Sequence, residues 1–240
     1  MIIHKFGGAA VKDAGGVKNL SEILKARNEY KVVVISAFGK TTNNLEELTF
    51  FIYNREKEEF KEKLKTIRDY HYNIMYDLFY KNHTIFSDIN RVFETLEGLY
   101  NLNHHGYDHL YDQVVSLGEV LSTRVVQAYL EQEMMPYEWL DIREYLKTDH
   151  TYREANVDWE ESEKLIGEKF DSLNNSIVTQ GFIAGDKYGN STTLGREGSD
   201  YTAAILGNIL NAEQIITWKD VPGILNADPR YFDNPQKLNE

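Results

Sequence analysis

The sequence predicts one α/β domain built on a mostly parallel sheet and carrying a helical insertion. Three observations lead there. Residues 31–35, Lys-Val-Val-Val-Ile, carry a continuous Val/Ile run, the pattern of a strand covered on both faces. A strand, a glycine turn, a helix and this second strand follow one another at the start of the chain, which is a βαβ opening. From Lys40 to Glu97 there is neither glycine nor proline, and apolar residues recur at helical spacing.

The elements follow in order. Ile2-Ile3-His4-Lys5-Phe6 reads as a strand ended by Gly7-Gly8. Residues 16–28 read as a helix with Val17, Leu20, Ile23 and Leu24 on one face. Residues 45–132 read as several helices, broken near Asn82-His83 and over 101–108. Phe60, Leu64, Ile67 and His71 mark one helical face there. Twelve of the 16 tyrosines lie within 53–152, and half-buried packing with wet hydroxyls accounts for them better than a ligand cage does. Strand chemistry returns over 136–140. The chain is then ambiguous as far as Trp159. Residues 160–170 suit a short amphipathic helix, 176–183 one strand, and 185–190 a hairpin turn. Residues 199–210 suit a helix capped by Ser199 or a neighbour, 214–218 a strand, and Val221-Pro222-Gly223 a turn.

Composition narrows the function. A chain of 240 residues can bury a self-stabilising core. No apolar run exceeds four residues, which leaves no transmembrane helix and no signal-peptide core. With 38 acidic against 26 basic residues the net charge is -12, which disfavours general nucleic-acid binding but leaves room for a pocket taking a small phosphorylated ligand. The absence of cysteine removes disulfides, thiolate metal sites and a cysteine nucleophile. A reducing cytoplasm is the default location.

Four segments are placed to carry chemistry. At Lys5-Phe6-Gly7-Gly8 a strand ends on two glycines, whose N–H groups can cradle phosphate oxygens beside the Lys5 ammonium. A solvated lysine beside a plain turn explains this segment equally well. Gly39-Lys40-Thr41 copies the tail of a Walker A motif, but Val34 stands where its first glycine belongs, so a P-loop is rejected. A polar loop at the end of a parallel strand remains there. In Gly195-Arg196-Glu197-Gly198-Ser199-Asp200 two glycines frame an arginine able to clamp a carboxylate, at the start of a helix. Simple capping explains Ser199 or Asp200, but not the arginine. The stretch from Trp218 to Arg230 holds two polar turns that suit a base and ribose, although ordinary turn chemistry explains its Pro222 and Gly223. Gly118-Glu119 puts a glycine inside a helical pattern, where it costs about 1 kcal/mol and invites a close approach of ligand or backbone. His105 and His109 stand four apart, but Gly106 interrupts their helix and no H-E-x-x-H is formed, so no metal ligands are assigned.

In order and approximate spacing these segments resemble the aspartokinases of the amino-acid kinase superfamily. The matching blocks are Lys5-Phe6-Gly7-Gly8, 36–43, Leu117-Gly118-Glu119 with Leu121-Ser122, 179–183, 192–204 and 218–230. The resemblance implies a three-layer α/β/α sandwich and phosphoryl transfer from ATP, with Mg²⁺, to the side-chain carboxylate of L-aspartate, the first step toward lysine, threonine and methionine. It implies that Lys5, Gly7 and Gly8 hold ATP phosphates and that Asp200, the second catalytic residue with Lys5, orients lysines near the transferred group. Arg196 would grip the substrate α-carboxylate and Glu119 its ammonium. Ser36, Thr42, Phe182 and Ser199 would line the aspartate pocket, and Lys219, Asp220, Leu225 and Arg230 the nucleotide pocket. The full-length enzyme is expected to be a homo-oligomer.

The chain departs from the family's pattern in places. Ala9-Ala10 replaces Thr-Ser, Glu197 replaces a glycine beside the carboxylate clamp, Lys219 stands where threonine is common, and Leu225 where an aromatic often packs. Relatives continue into a further lysine-bearing segment and ACT regulatory modules, so residues 1–240 are expected to be a catalytic domain truncated at its C-terminus. Rival readings are a kinase of N-acetylglutamate, glutamate or carbamate, and a non-catalytic ligand-binding fragment. The Gly195–Asp200 block together with Gly118-Glu119 favours aspartate.

Overall fold

The structure is a computed structural model and describes residues 1–27, 31–172, 174–219, 223, 225–227 and 231–238. Five parallel strands form the main sheet in the order β3-β5-β2-β1-β8: β1 (Ile2–Phe6), β2 (Lys31–Ile35), β3 (Tyr137–Leu140), β5 (Ser176–Gln180) and β8 (Gln214–Trp218). The register pairs Lys5 with Val34 and Thr217, so β1 is an interior strand and its C-terminal end opens between two neighbours. Val32 to Ile35 are fully buried, as a strand covered on both faces requires. A smaller sheet holds β4 (Lys147–Thr148), β6 (Ile183–Asp186) and β7 (Ser191–Thr193), in the order β4-β6-β7.

Helices cover both faces of the main sheet. On one side lie α1 (Ala14–Lys25) and α5 (Tyr107–Gln132), the latter packed on β2, β3 and β5. On the other, α7 (Gly198–Ile209) packs on β1, β2 and β8, with α6 (Trp159–Asp171) against it. This is the three-layer α/β/α sandwich. The helical stretch read over 45–132 begins at Thr41 and resolves into α2 (Thr41–Tyr53), α3 (Lys57–Leu78), α4 (Ile85–Leu99) and α5. Of these, α5 is a layer of the sandwich; its buried face carries Val114, Leu121, Val125 and Leu130.

Two expectations are corrected. The single strand read over 176–183 is two strands in different sheets, because Phe182 turns the chain at φ +68°. The α7 cap is Glu197, in the left-handed region at φ 56° and with no side-chain capping bond, rather than Ser199, which lies inside the helix. No helix of the described residues is long and apolar enough to cross a membrane.

Candidate active site

Open parallel sheets bind ligands beyond the C-terminal ends of their strands. Here the ends of β1, β2, β5 and β8 are tied together past the strands themselves. Gly7 N–H donates to the Trp218 carbonyl (3.1 Å), Ser36 N–H to Phe6 (3.1 Å) and Gly181 N–H to Ile35 (3.1 Å). Gly39 N–H donates to the Gly8 carbonyl at 3.0 Å. A Cβ on Gly8 would stand 2.6 Å from the Ala37 carbonyl oxygen, so only glycine lets these two loops meet. The Gly7 N–H is committed to the sheet edge, which leaves any phosphate cradle here to the groups beyond it.

Around this junction lies a cavity of about 260 Å³. Lys5 comes from β1, Ser36 from the end of β2, Thr42 from α2, Glu119 from α5, Phe182 from beyond β5, and Glu197 and Ser199 from the start of α7. The fold thus gathers one catalytic candidate and five of the six substrate-binding candidates on a single wall-to-wall surface. The sixth, Arg196, is exposed and lines a neighbouring cavity of about 580 Å³ that shares Thr42, Phe182 and Gly195 with the first. Gly118 makes room for this arrangement. A Cβ there would meet Leu45 Cδ1 at 2.9 Å, Ala37 Cβ at 3.3 Å and Thr41 Cγ2 at 3.3 Å, so its absence serves packing of α2 and the 36–40 loop.

Charge is concentrated at the start of α7. The Lys5 ammonium lies 2.7 Å from Asp200 Oδ1, and Lys219 Nζ lies 3.4 Å from Asp200 Oδ2. The Lys5 side chain is buried, whereas Lys219 is half exposed. Burial alone would raise the Asp200 pKa, but the Lys5 ammonium, with the Glu197 side chain and Lys219, holds that carboxyl below its usual range. Asp200 therefore holds two ammonium groups together beside the strand ends, a concentration of positive charge that would favour anionic oxygens. Glu119 is the opposite case: burial pushes its carboxyl up to about 8 against hydrogen bonds from Ala37 N–H, at 3.3 Å, and from its own main chain.

Leu225 is half buried and bridges to Lys237, outside both cavities. Asp220 and Arg230 lie outside the described residues. A larger cavity of about 790 Å³, lined by Lys147, Asp149, His150 and Asp186 among others, contains none of the site residues read from the sequence. Its size does not make it the centre of the chemistry. The Asp186 carboxylate there is occupied by Tyr188 N–H, Asn190 N–H and the Asn190 amide.

Three supporting residues escaped the sequence reading as site parts. Glu197 lines the cavity itself. Tyr70 on α3 donates its hydroxyl to the Lys12 carbonyl and packs on Gly39, joining two loops of the site to the helical layer. Asp112 on α5 anchors the backbone at Arg153 and Thr193. Polar residues within a helix as apolar as 110–130 were the available signal for Asp112. No local signal exists for Tyr70.

Glu197 holds a left-handed conformation that costs a non-glycine residue roughly 1 kcal/mol. It also sets a second carboxylate beside Asp200. Glu197→Gly is expected to raise the melting temperature by about 2–4 °C, the shift that 1 kcal/mol gives in a domain of this size. A melting temperature unchanged or lowered would mean that the Glu197 carboxylate stabilises the turn by more than its backbone strain costs.

A strand-end pocket with two lysines on one aspartate beside it and a buried glutamate in its lining thus sits on a three-layer sandwich. Residues 1–240 match the model of the amino acid kinase family, and the chain belongs to that family. It is 33% identical over 243 residues to lysine-sensitive aspartokinase 3 of Escherichia coli (strain K12), covering 100% of this chain and 53% of the relative. It is 32% identical over 249 residues to a chloroplastic bifunctional aspartokinase/homoserine dehydrogenase 2 of Arabidopsis thaliana, covering 99% of this chain and 26% of that protein. Among solved structures, E. coli aspartokinase III in complex with aspartate and ADP (R-state) superposes with a TM-score of 0.90 at 32% identity, over 100% of this chain and 53% of that one. The chain thus spans about half the length of the E. coli relative, at 53%.

Proposed function

We propose that residues 1–240 act as one catalytic domain that phosphorylates the side-chain carboxylate of L-aspartate with ATP, giving 4-phospho-L-aspartate and ADP. The observation that supports it most is the gathering of Lys5, Ser36, Thr42, Glu119, Phe182 and Ser199 around one small cavity beside the Lys5–Asp200–Lys219 array. The similarity to the aspartokinase whose complex holds aspartate and ADP supports the choice of acceptor and of nucleotide.

In this reading the acceptor needs no base, because its carboxylate is ionised at neutral pH. One carboxylate oxygen forms the new bond to the γ-phosphorus, the bond from that phosphorus to the bridging oxygen breaks, and ADP takes the electron pair. The protein's part is positioning and charge. Lys5 and Lys219, steered by Asp200, face the phosphate oxygens. Mg²⁺ travels on the nucleotide and neutralises phosphate charge when bound. Gly7, Gly8, Leu225, Asp220 and Arg230 belong to the nucleotide half. Arg196 reads the α-carboxylate from the adjoining cavity, Glu119 reads the ammonium, and Ser36, Thr42, Phe182 and Ser199 shape the space between. The full-length enzyme would be a homo-oligomer working in the cytoplasm.

The direct test is a coupled ADP-release assay with L-aspartate, L-glutamate, N-acetyl-L-glutamate and carbamate. Turnover with aspartate well above the others is expected, and a preference for any other acceptor would overturn the assignment. Arg196→Lys keeps the charge but loses the planar fork. It should lower kcat/KM for aspartate by about 1–3 kcal/mol in transition-state binding, while the KM for ATP changes little. An unchanged kcat/KM would remove Arg196 from the acceptor pocket.

A further inference from the structure

Glu119 is the acidic side chain in this cavity that the fold has separated from water while leaving one of its oxygens unpartnered. It sits in the middle of α5 and is 2% exposed. Its Oε1 accepts one N–H, from Ala37 at 3.3 Å. Its Oε2 is buried and has no hydrogen-bond partner among the described residues. Ser122 and Thr123, on the same helix, donate their hydroxyls to the Glu119 main-chain carbonyl and not to its carboxyl. The other elements around the cavity present Lys5 from β1, Ser36 from the end of β2, Thr42 from α2, and Glu197 with Ser199 from the start of α7. The cation in this set is Lys5, and its ammonium is held by Asp200 at 2.7 Å.

A carboxylate so placed is shielded from solvent and is met only by main-chain N–H groups, those of Ala37 and of Glu119 itself, with no cation against it among the described residues. Its neutral form is therefore favoured as long as the cavity holds no counter-charge. Burial accordingly pushes the Glu119 carboxyl up to about 8. An arriving ammonium reverses the balance, since it supplies three N–H donors and a positive charge at the unpartnered Oε2.

We propose that Glu119 is protonated in the empty pocket at neutral pH and ionises when the acceptor's ammonium docks, so that binding of the acceptor expels one proton. The proton balance is simple: the Glu119 carboxylic acid and the ammonium become an ion pair, and one H⁺ passes to solvent. The proposal rests on the amino-acid acceptor reading above and adds a basis for selectivity. A des-amino analogue such as succinate leaves Glu119 neutral and releases no proton. Acceptor affinity must then rise by about tenfold per pH unit up to the Glu119 midpoint and level off above it. The sign for stability follows from the raised pKa. The stabilising contribution of Glu119 is complete below its ordinary value of 4.5 and is lost as pH rises through about 8. The ligand-free protein should lose stability across that window, and bound aspartate should restore it.

The test has two arms on the purified protein. Infrared difference spectra of the ligand-free wild type against Glu119→Gln should show a protonated-carboxyl band near pH 6.5 that disappears above about pH 9. Calorimetric titration of L-aspartate near pH 6.5, in two buffers of different ionisation enthalpy, should count close to one proton released by the wild type and none by Glu119→Gln. Absence of the band, or aspartate binding without proton release, overturns the proposal. If the band is present and aspartate does not bind, the acceptor reading falls separately, and methylammonium becomes the probe because it carries only the group Glu119 reads. A downward shift of the band's pH midpoint in methylammonium then supports the proposal, and an unmoved midpoint overturns it. Should Glu119→Gln fail to fold, the wild-type band and the wild-type proton count decide the matter alone.

Discussion

Lys5→Ala is expected to lower kcat for aspartate phosphorylation by more than ~10²-fold, the scale of losing one preorganised charge at a developing anion. The reason is where the ammonium is held. Lys5 lies on a strand flanked on both sides, β1 between β2 and β8, its side chain is buried, and Asp200 fixes its ammonium at 2.7 Å at the edge of the cavity. An ammonium prepositioned in a site with little water need not reorganise when phosphate charge accumulates. Removing it also leaves Asp200 with Lys219 alone, at 3.4 Å, so the carboxylate that organised two cations would partly oppose the incoming phosphates. The measurement is steady-state kinetics of the folded variant, with circular dichroism and a thermal melt beside it. The KM for aspartate should change far less than kcat, since Glu119 and Arg196 remain. A kcat near that of the wild type would mean that Lys5 merely neutralises Asp200.

The strands of the main sheet were legible where chemistry and punctuation agree. β1 ends on Gly7-Gly8, and β2 carries the β-branched run Val32 to Ile35 ended by Ser36, so local pattern set both C-terminal bounds. The pattern failed at 176–183, where strand-forming residues stand on both sides of Gly181. A Cβ at Gly181 would lie 2.5 Å from Ser199 Cβ, so the glycine marks the point where α7 presses on the chain and the sheet ends. An isolated glycine in a strand pattern does signal such an approach. The left-handed Glu197 was not legible, because nothing in a glutamate side chain asks for positive φ. The site itself was legible only through the ordered resemblance of separated blocks. Lys5, Glu119 and Asp200 meet because β1, α5 and α7 are three layers of one sandwich, and no local periodicity carries that information. What periodicity does carry is the oddity of α5. A helix buried along most of its length yet containing Asp112, Ser116, Glu119 and Ser122 must find partners for each of them.

Asp112 found four. Oδ1 and Oδ2 both accept from Arg153 N–H, at 3.1 and 3.0 Å; Oδ2 also accepts from Thr193 N–H and Oδ1 from the Thr193 hydroxyl, each at 2.8 Å. Arg153 is itself left-handed, at φ 71°, and its guanidinium lies over the Tyr111 ring at 4.4 Å. One buried carboxylate therefore pins α5 to β7 and to the loop that carries Arg153. β7 runs directly into Gly195 and Arg196, and a Cβ on Gly195 would stand 3.0 Å from Glu154 Cγ in that same loop. Asp112→Ala leaves two buried N–H groups and a hydroxyl unpaired, which should destabilise the fold by about 2–4 kcal/mol. In a domain of this size that is a drop of roughly 5–15 °C in melting temperature. Asp112→Asn sharpens the argument. Both carboxylate oxygens are acceptors, so the amide must turn its NH₂ toward N–H donors on one side, and the near-isosteric variant should lose a large part of what alanine loses. Below its melting point it should still raise the KM for aspartate, because the turn bearing Arg196 is no longer held, while the KM for ATP stays near the wild-type value. Thermal melts and two-substrate kinetics of both variants decide it. An Asn variant that melts with the wild type would show that volume alone matters at Asp112, and equal rises in both KM values would place the damage in the sheet rather than in the acceptor side of the site.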